Sequence, residues 1–131
     1  MAPVTAFVLD AGALIAIERG SQRMQALLDR AARRPDIELL VPACVVGQVW
    51  RDGARQARLA KLLNAPQTRI IDLNHARARA VGILLCVSGA EDVVDASVVV
   101  CARGHGRNVP VITSDPRDLA RLDGALPLVT V

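Results

Sequence analysis

Three stretches of this chain place carboxylates where a folded protein has little use for them unless they do chemistry. The segment FVLDAGALIAI (residues 7–17) is apolar except for Asp10. A charge in such surroundings is costly to bury unless something pairs with it. EDVVDASVVV (residues 91–100) carries Asp95 among valines and alanine, one turn inside a helix, where an end cap is no longer needed. VITSDPRDL (residues 111–119) carries Asp115 at the exit of an apolar run. Each has a structural alternative. Asp10 fits an N-cap for a helix starting at Ala11, and Asp92 fits a cap for the helix that holds Asp95. In SDPRDL, Asp115 or Ser114 caps, Pro116 takes the first helical position, and Asp118 reaches back as in a capping box. Together the acids suggest more. Like charges ~4 Å apart repel by roughly 4 kcal/mol at an effective dielectric near 20, so a cluster of them is tolerable mainly around a cation. Oxygen donors without His or Cys suit Mg²⁺ or Mn²⁺ rather than zinc. Such an ion suits phosphoryl chemistry, because it activates a water and neutralises phosphate oxygens.

The elements that would position these acids follow from the apolar pattern. Phe7 to Leu9 reads as a buried strand and Ala11 to Glu18 as a helix closed by Gly20. Ser21 caps a second helix, which puts Met24, Leu27, Leu28, Ala31 and Ala32 on one face and ends at Pro35. Ile37 to Val41 is a strand, and Ala43 to Leu63 reads as one long helix with Val45, Val46 and Val49 inward. Arg69 to Leu73 is a strand, His75 to Leu85 a helix, and Glu91 to Arg103 a further helix. GHGRN (residues 104–108) reads as a turn, Val109 to Thr113 as a strand, Pro116 to Leu122 as a short helix and Leu126 to Val131 as a last strand. Continuous rather than alternating apolar strands, separated by helices, predict an α/β three-layer sandwich with a mostly parallel central sheet, a single domain over residues 1–131. Sites in such sheets lie beyond the carboxyl ends of the strands, where Asp10 and Asp115 fall.

Composition limits the alternatives. Hydrophobic residues make up 52% of the 131 positions and aromatics 2%, so the core must be aliphatic and disorder is excluded. No apolar stretch approaches the ~20 residues that a membrane span needs. No signal peptide is recognisable, and Cys44, Cys86 and Cys101 lack metal-ligand spacing, which fits reduced, buried thiols in a cytoplasmic protein. The net charge of +3 combines fifteen Arg and the lone Lys61 with thirteen acids, a weak pointer toward an acidic or nucleic-acid partner. His75 and His105 have no partner spacing for catalysis and read as surface residues; Trp50 reads as core or dimer interface.

VLDAGALIAI, VPACVVGQVWR, DVVDASVVVCA and VITSDPRDL, in that order and spacing, resemble the PIN-domain ribonucleases, and more narrowly the VapC toxins of VapBC toxin–antitoxin pairs. The likeness runs from about Val8 to Leu122. It implies a PIN-like sheet flanked by helices, a Mg²⁺- or Mn²⁺-dependent endoribonuclease toxin, an RNA substrate, a homodimer and a cognate VapB-type antitoxin. The acidic quartet of that family carries over to Asp10, position 48, Asp95 and Asp115, of which Asp10, Asp95 and Asp115 would hold the metal. Asp92 and Asp118 fall where auxiliary acids could sit, and Thr113 and Ser114 could add hydroxyl contacts. Arg51, one turn beyond position 48 on the expected long helix, could meet RNA phosphate or pair with Asp95.

Position 48 departs from the pattern, with Gln48 in place of the usual Glu. An amide oxygen can ligate but brings no charge, so the metal site would be weaker. The alternative function is therefore a PIN-like binding protein with weakened or lost catalysis. Two other classes fit poorly. A phosphoacceptor domain needs a lysine beside the acids, and the only lysine, Lys61, sits near the far end of the expected long helix; a nucleotide-binding module needs a glycine-rich loop after the first strand, and DAGAL is not one.

Overall fold

The strands read AFVL, ELLVP, TRII, VIT and LVT, short and mostly apolar, and this composition demands cover on both faces. The computed structural model describes residues 3–106 and 108–131. In it β1 (Ala6–Leu9), β2 (Glu38–Pro42), β3 (Thr68–Ile71), β4 (Val111–Thr113) and β5 (Leu128–Thr130) form one sheet in the order β3-β2-β1-β4-β5. Every pairing is parallel, with Val8 opposite both Leu40 and Val111. The expected α/β sandwich is thus observed, with the sheet parallel throughout.

Among the described residues seven helices flank it: α1 (Ala11–Glu18), α2 (Gln22–Ala32), α3 (Ala43–Val49), α4 (Ala57–Leu63), α5 (His75–Ser88), α6 (Val93–His105) and α7 (Pro116–Leu122). Helix α6 packs against β1 and β2 and carries α5 and α7 on its back, while α1 meets β4, α3 and α4. Side-chain caps set the starts. Asp10, Ser21, Asn74 and Asp92 each accept a backbone N–H from the first turn of the helix they precede. Gly20 (φ 76°) and Gly89 (φ 72°) close α1 and α5 in the left-handed region, where a side chain would be strained. The core is aliphatic, as composition requires: Val8, Leu9, Leu14, Leu40, Val98 and Leu119 are all sealed from solvent. None of the helices among the described residues is long and apolar enough to cross a membrane.

Several boundaries differ from expectation. The long helix over residues 43–63 is two helices, α3 and α4, separated by residues 50–56. Trp50 is extended (ψ 130°), and Asp52 accepts a hydrogen bond from Ala54 N–H, the turn chemistry that an Asp-Gly pair favours. Gln56 fastens the break. Buried, it accepts from the N–H groups of Arg51 (2.8 Å) and Asp52 (3.0 Å) and donates to the Val49 carbonyl (2.9 Å) and to Glu18 (3.2 Å). Helix α5 extends to Ser88 and α6 to His105, so Gly104 and His105 of the expected GHGRN turn are helical; Arg107 lies outside the described residues. The cysteines are all free, but only Cys101 is buried; Cys44 is half-buried and Cys86 exposed on α5. His75 is exposed as expected, whereas His105 is half-buried and 3.4 Å from Glu38.

Candidate acidic site

Strands β1 and β4 are neighbours, so the chain segments leaving their carboxyl ends, Asp10 and residues 114–115, emerge side by side. The N-terminus of α6, with Asp92 and Asp95, and the first turn of α7, with Asp118, bring the remaining acids to the same edge. Asp95 makes the convergence measurable. Its pKa is raised to about 6, chiefly by burial, then by the charges of Asp92, Asp118, Asp10 and Asp115 in that order. Asp10, with only 6% of its surface exposed, is also raised, again first by burial, with Asp115 adding repulsion. All the charges that shift these two groups are carboxylates. The edge therefore holds negative charge without a compensating cation among the shifting groups.

Local structure accounts for each position. Asp10 caps α1 through Oδ1, which accepts from Ala13 N–H at 2.9 Å, and it also receives the Gly12 N–H and the Thr113 hydroxyl. These donors hold it ionisable against the burial that opposes charge. Thr113 is fully buried at the end of β4, and its hydroxyl oxygen accepts from Asp115 N–H at 2.9 Å. Asp115 sits at the N-cap position of α7, with Pro116 following, but its side chain makes no cap hydrogen bond. The expected capping box is thus replaced by a pairing of acids. Asp118 is hydrogen-bonded to Asp115, and that bond, ahead of the Asp115 charge, raises its pKa. Asp92 is exposed and caps α6 by accepting from Asp95 N–H at 3.0 Å.

Gln48 is exposed in the last turn of α3, which packs against both α1 and α6. Arg51 falls in the break and not on the helix with Gln48. Its Nη1 donates to the carbonyls of Trp50 (2.7 Å) and Gly47 (3.4 Å), so the expected pairing with Asp95 gives way to a contact with its own backbone. Trp50 is 37% exposed, outside the core.

One residue escaped notice in the sequence. An ideal Cβ on Gly12 would overlap Ser114 Oγ and stand 3.1 Å from Ser114 N. The first turn of α1 therefore abuts the loop that carries Asp115, and only glycine permits the approach. The signal was a helical glycine in an alanine-rich stretch, where alanine would be the better helix former.

In chemical type the donors suit a hard divalent cation: oxygen only, in negative excess, partly shielded from water. In spacing, no three His, Cys, Asp or Glu side chains among the described residues are grouped closely enough to hold a metal ion as they stand. Asp10, Asp95 and Asp115 share one electrostatic environment without converging on a point.

Comparison with known proteins gives two kinds of likeness. No protein-family model matches the chain. By sequence it is 32% identical over 117 residues to demethylmenaquinone methyltransferases of Mycolicibacterium vanbaalenii and Mycolicibacterium gilvum, an alignment covering 88% of this chain and 49% of each relative. The chain thus spans about half the length of the curated relatives it matches. By structure it is similar to the VapC20 toxin of Mycobacterium tuberculosis, described as cleaving the sarcin–ricin loop, with TM-score 0.70 and 16% identity over 95% of this chain and 99% of that one. A toxin–antitoxin complex from Klebsiella pneumoniae gives TM-score 0.69 and 18% identity, covering 95% and 96%. VapBC-5 of Mycobacterium tuberculosis gives 0.57 and 25%, covering 97% and 99%. Over the 95–97% of its length that these matches cover, the chain is folded as a PIN domain of the VapC type.

Proposed function

We propose that this protein is a metal-dependent endoribonuclease toxin of a toxin–antitoxin pair, working at the edge formed by Asp10, Asp95 and Asp115 with Gln48 as the fourth member. The observation that carries the reading is Asp95, whose pKa is raised to about 6 first by burial and then by four neighbouring carboxylates. A fold under no demand to gather charge would not place four acids around a fifth, since each pair costs free energy until a cation offsets it. Asp10, Asp95 and Asp115 would hold Mg²⁺ or Mn²⁺, with the Gln48 amide oxygen as a neutral donor. When bound, such a cation supplies charge neutralisation for a phosphate and acidifies a water. The residues themselves do the positioning. Thr113 keeps Asp10 and the Asp115 backbone in register, Asp92 fixes the first turn of α6, and Asp118 is hydrogen-bonded to Asp115.

The solved toxin–antitoxin complexes among its structural neighbours support a VapB-type antitoxin as partner; a homodimer in the cytoplasm completes the proposal. The sequence relatives favour a second reading, methyl transfer. Strand order does not separate the two readings, because β3-β2-β1-β4-β5 is also the order of doubly wound nucleotide-binding sheets. The passage from β1 into α1 does: it offers Asp10-Ala11-Gly12-Ala13 and a buried carboxylate, not a glycine-rich cradle for a cofactor. The nuclease reading is therefore preferred. Its test is RNA cleavage by purified protein in Mg²⁺ or Mn²⁺, abolished by Asp10→Asn and by Asp95→Asn; cleavage that survives both removes the site. Cleavage absent from the parent as well, with RNA and antitoxin still bound, selects the non-catalytic binding protein.

A further inference from the structure

Gly12 and Ser114 do more than touch: they form one end of a groove of about 420 Å³ that runs along α1 past Ile15 and Ala16 to Arg19 and Ser21. Its near end is continuous with the acidic edge, since Gly12 N–H binds Asp10 and Ser114 immediately precedes Asp115. Its far end is cationic. Arg19 is exposed at the C-cap of α1, with its backbone N–H bound to Ile15 and no side-chain hydrogen bond or ion pair among the described residues. The nearest acid in sequence, Glu18, is occupied by Gln56 at 3.2 Å. Between the two ends the floor is aliphatic and half-buried. The eight residues of α1 set the distance at about 12 Å, a span that a nucleic-acid strand covers in a few nucleotides.

We infer that this groove seats the single-stranded RNA flanking the acidic edge, with Arg19 meeting a backbone phosphate a few nucleotides from Asp10 and Ile15 and Ala16 packing against sugar. The inference rests on the nuclease reading and adds the substrate's path to it. Charge complementarity selects a phosphate-bearing strand over an apolar peptide. The acidic end repels phosphate, so the far end must supply the attraction that holds the strand. The floor has no aromatic platform and few polar groups, so the groove reads backbone rather than base.

The test uses the full chain as Asp10→Asn, which keeps an N-cap residue and removes cleavage, titrated with fluorescent single-stranded RNA at several salt concentrations. Arg19→Glu added to this parent weakens binding by about fivefold or more and lowers the slope of log affinity on log salt by about 0.7, the loss of one phosphate contact. Ala16→Trp, which fills the floor without changing charge, weakens binding while leaving that slope unchanged. Lys61→Glu on α4 is the charge control and changes affinity less than about twofold. Equal RNA binding by the parent and Arg19→Glu overturns the groove while leaving the nuclease reading intact. So does an Arg19→Glu variant that loses only a co-purifying protein partner. A parent that binds no RNA overturns the groove, and the cleavage assay on unsubstituted protein decides the nuclease reading by itself.

Discussion

The Thr113 hydroxyl is shared between the two strand ends of the acidic edge: it donates to the Asp10 carboxylate and accepts from the backbone N–H of Asp115 at 2.9 Å. Thr113 is fully buried, so water cannot substitute for either bond. Thr113→Val keeps the shape but strips a donor from a buried carboxylate and an acceptor from Asp115 N–H. The expected cost is about 1.5–3 kcal/mol of stability, the range for a hydrogen bond to a charged group. Asp10, already raised by burial, moves further up, seen as a shift in its carboxyl titration by NMR. Thr113→Ser retains both bonds and should restore the parent titration; a Val variant that titrates like the parent removes Thr113 from the site.

Asp95 makes stability depend on pH in a direction opposite to that of an ordinary salt-bridged acid. Its folded pKa is about 6, above the unfolded value near 3.8. Its full stabilising contribution is therefore present only below pH ~3.8 and is lost as pH rises through 6. Asp10 is shifted in the same direction. Asp95→Asn should thus raise the melting temperature at pH 7.5 by about 2–4 °C, a figure kept small because Asp95 is partly open to solvent screening. The gain should fade between pH 6 and 4. A constant gain across that range would mean that the effect is packing rather than charge. Divalent cation should raise the parent's melting temperature at pH 7.5 and do so less in Asp95→Asn.

What the sequence made readable was set by local rules. Asp10, Ser21 and Asp92 cap where cap chemistry says they should, and α1 and α7 have their expected bounds. Continuous apolar strands required a sheet covered on both sides, which fixed the layering. What stayed hidden depends on contacts between distant segments. The break between α3 and α4 is held by Gln56 reaching back to Val49, Arg51, Asp52 and across to Glu18, and a glutamine in a polar stretch announces none of this. Asp52-Gly53 was the available local cue, outweighed by a helical pattern running through it. The Asp115–Asp118 pairing was hidden because the same spacing also suits a capping box.

Gly12 sets two effects of opposite sign against each other. In an unconstrained helix Gly→Ala gains about 0.5–1 kcal/mol. Here the new methyl would overlap Ser114 Oγ and press on Ser114 N at 3.1 Å. Overpacking of this kind costs about 1–3 kcal/mol, so Gly12→Ala should be net destabilising and should displace the Asp115 loop. Gly12→Ala combined with Ser114→Gly should recover part of the loss, and a double-mutant cycle by chemical denaturation reads the coupling directly. Additive single changes would show that α1 and the loop do not press on each other.

Gln48 provides the test of whether the acidic edge extends to α3. Its side chain is exposed, on a helix packed between α1 and α6, and it is neutral where a carboxylate would complete the set. Gln48→Glu adds one negative charge. If the residue faces the edge, that charge raises the Asp95 pKa above about 6 and destabilises the cation-free protein at neutral pH. The same charge tightens Mg²⁺ or Mn²⁺, because an added carboxylate raises both ligand charge and count. The two effects are linked: the protein loses stability without cation and gains more from it than the parent does. Calorimetric titration should show at least about tenfold tighter Mn²⁺, equivalent to about 1.4 kcal/mol. Unchanged affinity together with an unchanged Asp95 titration would place Gln48 outside the site and leave the three aspartates to hold the ion alone.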